Sequence, residues 1–429
     1  MVKLSYKVVL FLSFLIFSCG KQYVFIIWED AYNEDKIDVK DARVEISEVI
    51  DKKEIDTNDR IEHSDIKMED NFEAFVPDGC MMPVMDCGPN CRQVTCMGSF
   101  IDYNGFDLYS HYLAYVTHTF HWDAIFLVDL DTGEERMLYI TYDRRLGELV
   151  MYGNRIVFEE SDHWPDRSPL WVYNLDTSTI EEVRYGRPGN LDIFPEYTDY
   201  HTEYDLYEDK LVFATGREEW NGGYEVFMFD FTLQRMIQIS NTRWHYGANI
   251  PRIWDDIIVY TMIGSPFVIM VYYIQTGMTV RLTQEVPADQ WYADIWENRV
   301  VWTDHRNGEG GYYGTGNSDI YWCDLPNCVP RPATTNFACQ DWPSVEGDWI
   351  AWVDFRNDIM PLGSEIAHEG NIEIWAYNVS MDMEIQVASF NKNLFFPRVH
   401  NGKVYFLGNP AEGKTAPPEA IFEVTLPTF

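Results

Sequence analysis

Seven times between residues 99 and 429, a two-residue polar turn is followed by a short β-branched or aromatic strand. The turns are Ser110-His111, Gly153-Asn154, Glu208-Asp209, Asp255-Asp256, Glu297-Asn298, Gly347-Asp348 and Asn401-Gly402. The strands after them read YLAYV, RIVF, KLVF, IIVY, RVVW, WIAW and KVYF. Another strand precedes each turn, as in PRIW or ADIW, so each pair reads as a tight hairpin. A variable loop then leads to a third strand, such as AIFLVDL, DIYWCDL or EIWAYNV, and in most copies to a fourth such as VRLTQ. Four short strands recurring at a spacing of roughly 42 to 55 residues predict a β-propeller.

The seventh copy stops after its third strand, at TLPTF. A segment like the missing fourth strand lies before the first copy: RQVTCM, residues 92–97, resembles VRLTQ and PATTN. Pairing it with the C-terminal strands would close the ring and remove an exposed sheet edge. The expected fold is therefore all-β, a seven-bladed propeller of four-stranded antiparallel blades closed by an N-terminal strand.

Copies five and six echo each other residue by residue. Trp302, Asp304, Arg306 and Asn307 recur as Trp352, Asp354, Arg356 and Asn357, and GNSDIYWCDL recurs as GNIEIWAYNV. An alternating strand turns Asp and Arg two positions apart to one side, where they can pair. Trp302, Trp352, Phe158, Phe213 and Tyr260 occupy equivalent positions and are expected to pack between neighbouring blades.

The unit V-x-W-x-D-x-R, then D-I-Y-x-x-D-L, then R-L-T resembles the TolB-like, WD40-like propeller repeats of bacterial envelope proteins, over about residues 90 to 429. The resemblance implies the fold. TolB itself has an α/β domain before a six-bladed propeller, whereas this chain has an acidic segment and seven copies. Its first turns also replace the family's usual S-P-D-G with the pairs above. Binding of a peptidoglycan-associated lipoprotein, known for TolB, is accordingly not transferred.

The N-terminus carries Lys3 and Lys7 and then VVLFLSFLIF, too short an apolar run to span a bilayer. The following IFSCGK resembles a bacterial lipobox, with Ser18 directly before Cys19. That resemblance implies a signal peptide over 1–18 and lipidation of Cys19. Gly20 in place of Asp favours the outer membrane over the inner. Residues 19–78 are acidic and aperiodic, too poor in apolar pattern to offset the entropy of ordering, and read as a tether. Residues 79–98 form a Cys-rich segment with the ring-closing strand, and 99–429 form the propeller. With Cys19 lipidated, seven cysteines remain, and an odd number leaves at least one thiol unpaired or bonded to another molecule. Cys80, Cys87, Cys91 and Cys96 lack a C-x2-C pair, so disulfides in an oxidising compartment are expected rather than zinc.

A formal net charge of −37 argues against nucleic acid as a partner. In four-stranded blades the long loops, after strands two and four, emerge on one face. They are rich in Trp, Tyr, His and Asp, and function belongs there because loops on a rigid scaffold carry it. The expected activity is binding of an envelope protein or glycan by a monomer that needs no cofactor and meets the membrane through its lipid anchor only. The expected contact residues are Trp244, Tyr246, Trp291, Tyr292, Trp342, Asp304, Arg306, Asp354 and Arg356. The alternative is a polysaccharide lyase or hydrolase on the same face. It would use either a metal held among His118, His121, His163, His201, His245, His305 and His368, or Asp304 and Asp354 as a carboxylate pair. No G-x-S-x-G elbow, sialidase box or Walker loop occurs in the sequence.

Overall fold

A computed structural model describes residues 17–18, 21–22, 87, 90–95, 105–119, 122–142, 144–161, 169–183, 197–217, 223–242, 247–283, 286–308, 317–357, 371–389, 394–408 and 420–428. Phe17–Ser18 pairs with Lys21–Gln22. Cys19 and nearly all of the acidic tether lie outside the described residues.

Seven four-stranded antiparallel sheets follow, one per sequence copy. Their first strands are Phe106–Tyr109, Arg145–Tyr152, Tyr197–Tyr207, Gly247–Trp254, Gln290–Trp296, Gln340–Glu346 and Leu394–His400. The polar turns deliver the hairpins because their first residue adopts φ between 49° and 62° in all seven copies. That is the left-handed geometry that matches the twist of paired strands. Glycine takes it without strain at positions 153 and 347.

The ring closes as the sequence predicts. Cys91–Gln93 forms the outer strand of blade seven, with Cys91 opposite Val424, Arg92 opposite Glu423 and Gln93 opposite Phe422. Val94 N–H continues the ladder to Ile421 O at 2.7 Å, and Ile421 N–H donates to Thr95 Oγ1 at 3.1 Å.

The core is divided into seven clusters, and each one joins two neighbouring blades. One brings Phe106, Leu113 and Tyr115 of blade one against Tyr405, Leu407 and Ile421 of blade seven, so the closure is packed as well as hydrogen-bonded. Middle strands are covered on both sides by other blades, which is why Glu225–Asp230 is buried throughout. Outer strands such as Thr179–Glu182 alternate exposed and half-buried instead. Trp302, Trp352, Phe158, Phe213 and Tyr260 are at most 1% exposed and sit in these inter-blade clusters, as expected.

Disulfides join Cys87 to Cys91 and Cys323 to Cys328, and Cys339 is also disulfide-bonded. No cysteine is free among the described residues, in keeping with an oxidising compartment.

Candidate functional site

The first strand of each blade is innermost, so its side chains alternate between the inter-blade core and the central axis. In Gln290–Trp296 the half-buried residues are Tyr292, Asp294 and Trp296, and the fully buried ones lie between them. Counting back from the last residue of each inner strand gives three rings around the axis.

The ring beside the short turns is Tyr109, Tyr152, Tyr207, Trp254, Trp296, Glu346 and His400. Its first five members form a ladder with centroid distances of 4.5, 4.9, 5.1 and 5.5 Å. A polar bridge completes the circle. His400 Nδ1 meets Glu346 Oε2 at 3.1 Å and Nε2 meets Ser110 O at 2.8 Å.

The middle ring is Asp107, Val150, Asp205, Arg252, Asp294, Ser344 and Arg398. Its oxygens stitch four of the seven blade junctions. Met151 N–H donates to Asp107 Oδ2 at 2.8 Å, Ile253 N–H to Asp205 Oδ2 at 2.8 Å, and Val345 N–H to Asp294 Oδ2 at 2.9 Å. Val399 N–H reaches Ser344 Oγ at 3.1 Å. Arg252 interacts electrostatically with Asp205, Asp294, Glu203 and Glu148, and Arg398 with Asp107, Asp294 and Asp205.

The ring towards the long loops is Gly105, Glu148, Glu203, Ile250, Tyr292, Trp342 and Phe396. A β-bulge recurs here in blades two to seven. Glu203, Ile250, Tyr292, Trp342 and Phe396 all take φ between 46° and 53°. Bulky residues in that region cost on the order of 1–3 kcal/mol each, and such strain clusters at ligand sites. The result is a mouth with two characters. Tyr292, Trp342, Phe395 and Phe396 form a continuous aromatic crescent, with centroids 6.0 Å apart for Tyr292–Trp342, 5.1 Å for Trp342–Phe396 and 6.1 Å for Phe395–Phe396. Glu148 and Glu203 form the acidic side.

Burial pushes Glu203 up to about 7, against the pull of Arg252 and the Ile250 N–H. Burial likewise pushes Asp205 up to about 6, again against Arg252. His400 is also raised, because Glu346 and Ser110 O outweigh the burial that opposes its charge. All three groups bind protons more tightly folded than unfolded. Their contributions are therefore full at low pH and are lost as pH rises through the folded values. Thermal stability should fall between pH 5 and pH 8, and Glu203→Gln should flatten part of that slope. Calorimetry across this range checks it, and a melting temperature that rises over the interval would refute the assignment.

The WDxRN echo is a bracket for the end of the second strand. In blade five, Asp304 is 0% exposed and accepts from Arg306 Nε at 2.8 Å, Arg306 Nη2 at 2.7 Å, Trp302 Nε1 at 2.8 Å and Gln290 Nε2 at 2.6 Å. The Arg306 guanidinium lies 4.0 Å from the Tyr321 ring centre, and Asn307 Nδ2 donates to Asp319 Oδ2 at 2.6 Å. Blade six repeats this. Arg356 forks onto Asp354 at 2.9 and 2.7 Å and lies 3.6 Å over Trp375, while Asn357 Nδ2 reaches Glu373 Oε1 at 2.9 Å. Asp354 is also 0% exposed. Both carboxylates are consumed by internal donors and offer no surface to a ligand.

Among the expected contact residues, Tyr292 and Trp342 come together in the crescent. Trp291 is 9% exposed and packs against Phe267 and His305 behind it. Trp244 and Tyr246 lie outside the described residues, as do His121, His163, His245, His368 and the side chain of His201. His118 pairs with Asp123 at 2.8 Å. His305 is 7% exposed, and burial holds its pKa down. Among the described residues no group of three His, Cys, Asp or Glu side chains is arranged to hold a metal. The sequence reading missed the axial residues Glu148, Glu203, Asp205, Arg252, Asp294 and Arg398. A signal for the middle ring was present: two residues before the end of the inner strand, five of seven copies carry Asp or Arg.

No family model and no curated protein matches this sequence. Solved structures do match. An oligogalacturonate lyase from Vibrio parahaemolyticus shares 11% identity at a TM-score of 0.56, over 79% of this chain and 93% of that one. An oligogalacturonate lyase in complex with manganese shares 12% at 0.52, over 81% and 97%. TolB from Acinetobacter baumannii is also among the similar structures, at 12% and 0.41, over 66% of this chain and 64% of that one. At these identities the likeness is one of fold: the chain is a seven-bladed β-propeller.

Proposed function

We propose that the protein is a lipid-anchored envelope component that binds a protein or glycan partner through its loop-rich face, without catalysis. The observation carrying this reading is the aromatic crescent at the axial mouth. Large amphipathic rings held rigidly at the centre of a rim of loops are the usual source of interface energy. The anchor reading rests on the Cys19 junction and places the protein at the outer membrane. A mature N-terminus mapped elsewhere than Cys19 would remove it.

The test is capture of partners from envelope extract by the wild-type protein and by Tyr292→Ala/Trp342→Ala. A partner that dissociates at least roughly thirtyfold more readily from the variant is expected, since one well-placed interface aromatic is worth about 2 kcal/mol or more. Equal retention by both proteins would place the interface elsewhere.

One observation favours a second reading, a polysaccharide-active enzyme. Glu203, raised to about 7 by burial, shares the axial ring with aromatics on which a sugar could stack and has the proton affinity of a general acid or base. The carboxylate pair expected for such chemistry, Asp304 and Asp354, is buried under internal donors, and Glu203 takes its place in this reading. Turnover of oligogalacturonates or envelope glycans that is lost in Glu203→Gln would establish it over binding alone.

A further inference from the structure

We propose that the axial mouth is a receptor for an ammonium or guanidinium group, presented as a lysine or arginine side chain on a protein partner. The proposal rests on the loop-face binding reading and names the chemistry that face selects.

Three observations carry it. The first is shape. The crescent of Tyr292, Trp342 and Phe396 and the carboxylates Glu148 and Glu203 occupy equivalent bulged positions of one axial ring, an arrangement in which an aliphatic stem would lie on the rings and its charge meet the carboxylates. Cations over aromatic faces gain about 0.5–2 kcal/mol, more when water is excluded.

The second is an unfilled acceptor. Glu203 receives the Ile250 backbone N–H, yet its Oε2 is buried with no hydrogen-bond partner. An acceptor left that way costs free energy that an incoming N–H donor would recover.

The third is charge. The mouth and middle rings hold five carboxylates, Glu148, Glu203, Asp107, Asp205 and Asp294, against two guanidiniums, Arg252 and Arg398. A net charge of −37 would steer a basic partner towards the protein from a distance.

The experiment titrates the mature protein with a fluorescent pentalysine peptide and with the same peptide fully acetylated, by anisotropy at fixed ionic strength. Glu148→Gln/Glu203→Gln and Trp342→Leu should each weaken pentalysine binding at least tenfold. Glu134→Gln/Glu181→Gln, which removes two charges from exposed positions, should change it less than twofold. The acetylated peptide should not bind, a comparison that needs no variant to fold. Equal loss in the exposed-site control, binding of the acetylated peptide, or no effect of Trp342→Leu would overturn the proposal. So would Trp342-dependent binding of neutral oligosaccharides in place of the peptide. An envelope partner still captured by Glu148→Gln/Glu203→Gln would sink this inference alone and leave the binding function standing.

Discussion

Removal of residues 1–97 will abolish cooperative unfolding and drive the protein into aggregates, whereas removal of residues 1–78 will leave a folded propeller. The difference is one short strand. Cys91–Gln93 covers the outer edge of Ala420–Thr425, and Val94 and Thr95 prolong the contact as far as Ile421. Arg92 Nε adds a 3.0 Å bond to Glu423 Oε1, which also takes Lys403 Nζ at 3.0 Å. Each backbone bond is worth only about 0.5–1.5 kcal/mol net, so the ladder alone is a modest term. The larger consequence is an unpaired strand beside the packed interface of blades seven and one. Such an edge is a template for pairing with a second chain. Differential scanning calorimetry and light scattering of the two truncations check this. Equal melting and equal dispersity would show that residues 79–97 do not hold the ring.

This closure was legible in the sequence because it follows from counting: seven third strands were present and a fourth was missing. The hairpins were legible because Gly153-Asn154 and Asn401-Gly402 signal their geometry within two residues. The bracket of Asp304 and Arg306 could be read as a pair from strand alternation, but its burial could not. A second strand that ends under its neighbours' side chains looks, in sequence, like one that ends in a loop. The same blindness placed Trp291 on the contact surface, although Phe267 and His305 cover it. The axial rings were hidden for another reason. The bulges at Glu203, Ile250, Tyr292, Trp342 and Phe396 set where the alternating axial face of each inner strand ends. A bulge shifts the alternation by one residue at a place no local composition announces. Arg252 and Asp294 therefore read as ordinary solvated positions until the blades are assembled around them.

Asp304→Ala should destabilise the propeller by about 3–5 kcal/mol, the range for removing one partner from a buried ion pair. The carboxylate is 0% exposed, while the Arg306 side chain is 25% exposed. Burial alone would raise the Asp304 pKa, but the Arg306 and Trp302 hydrogen bonds outweigh it and hold the group below the usual range. A depressed folded value means stability that is present above the unfolded pKa and lost as acid protonates the group, so this pair contributes in full at neutral pH. Its removal strands Trp302 Nε1 and the Gln290 amide without an acceptor and leaves the guanidinium beside the Tyr321 ring and the charge of Asp319. Arg306 can turn partly towards water, which puts the expected loss at the lower end of the range. Asp304→Ala/Arg306→Ala should recover part of it, giving a coupling of at least about 1 kcal/mol in a double-mutant cycle. Denaturant titration of the four proteins measures that coupling. Additive losses, or a Asp304→Ala protein as stable as wild type but impaired in partner binding, would return Asp304 to the contact surface and make the echo functional after all.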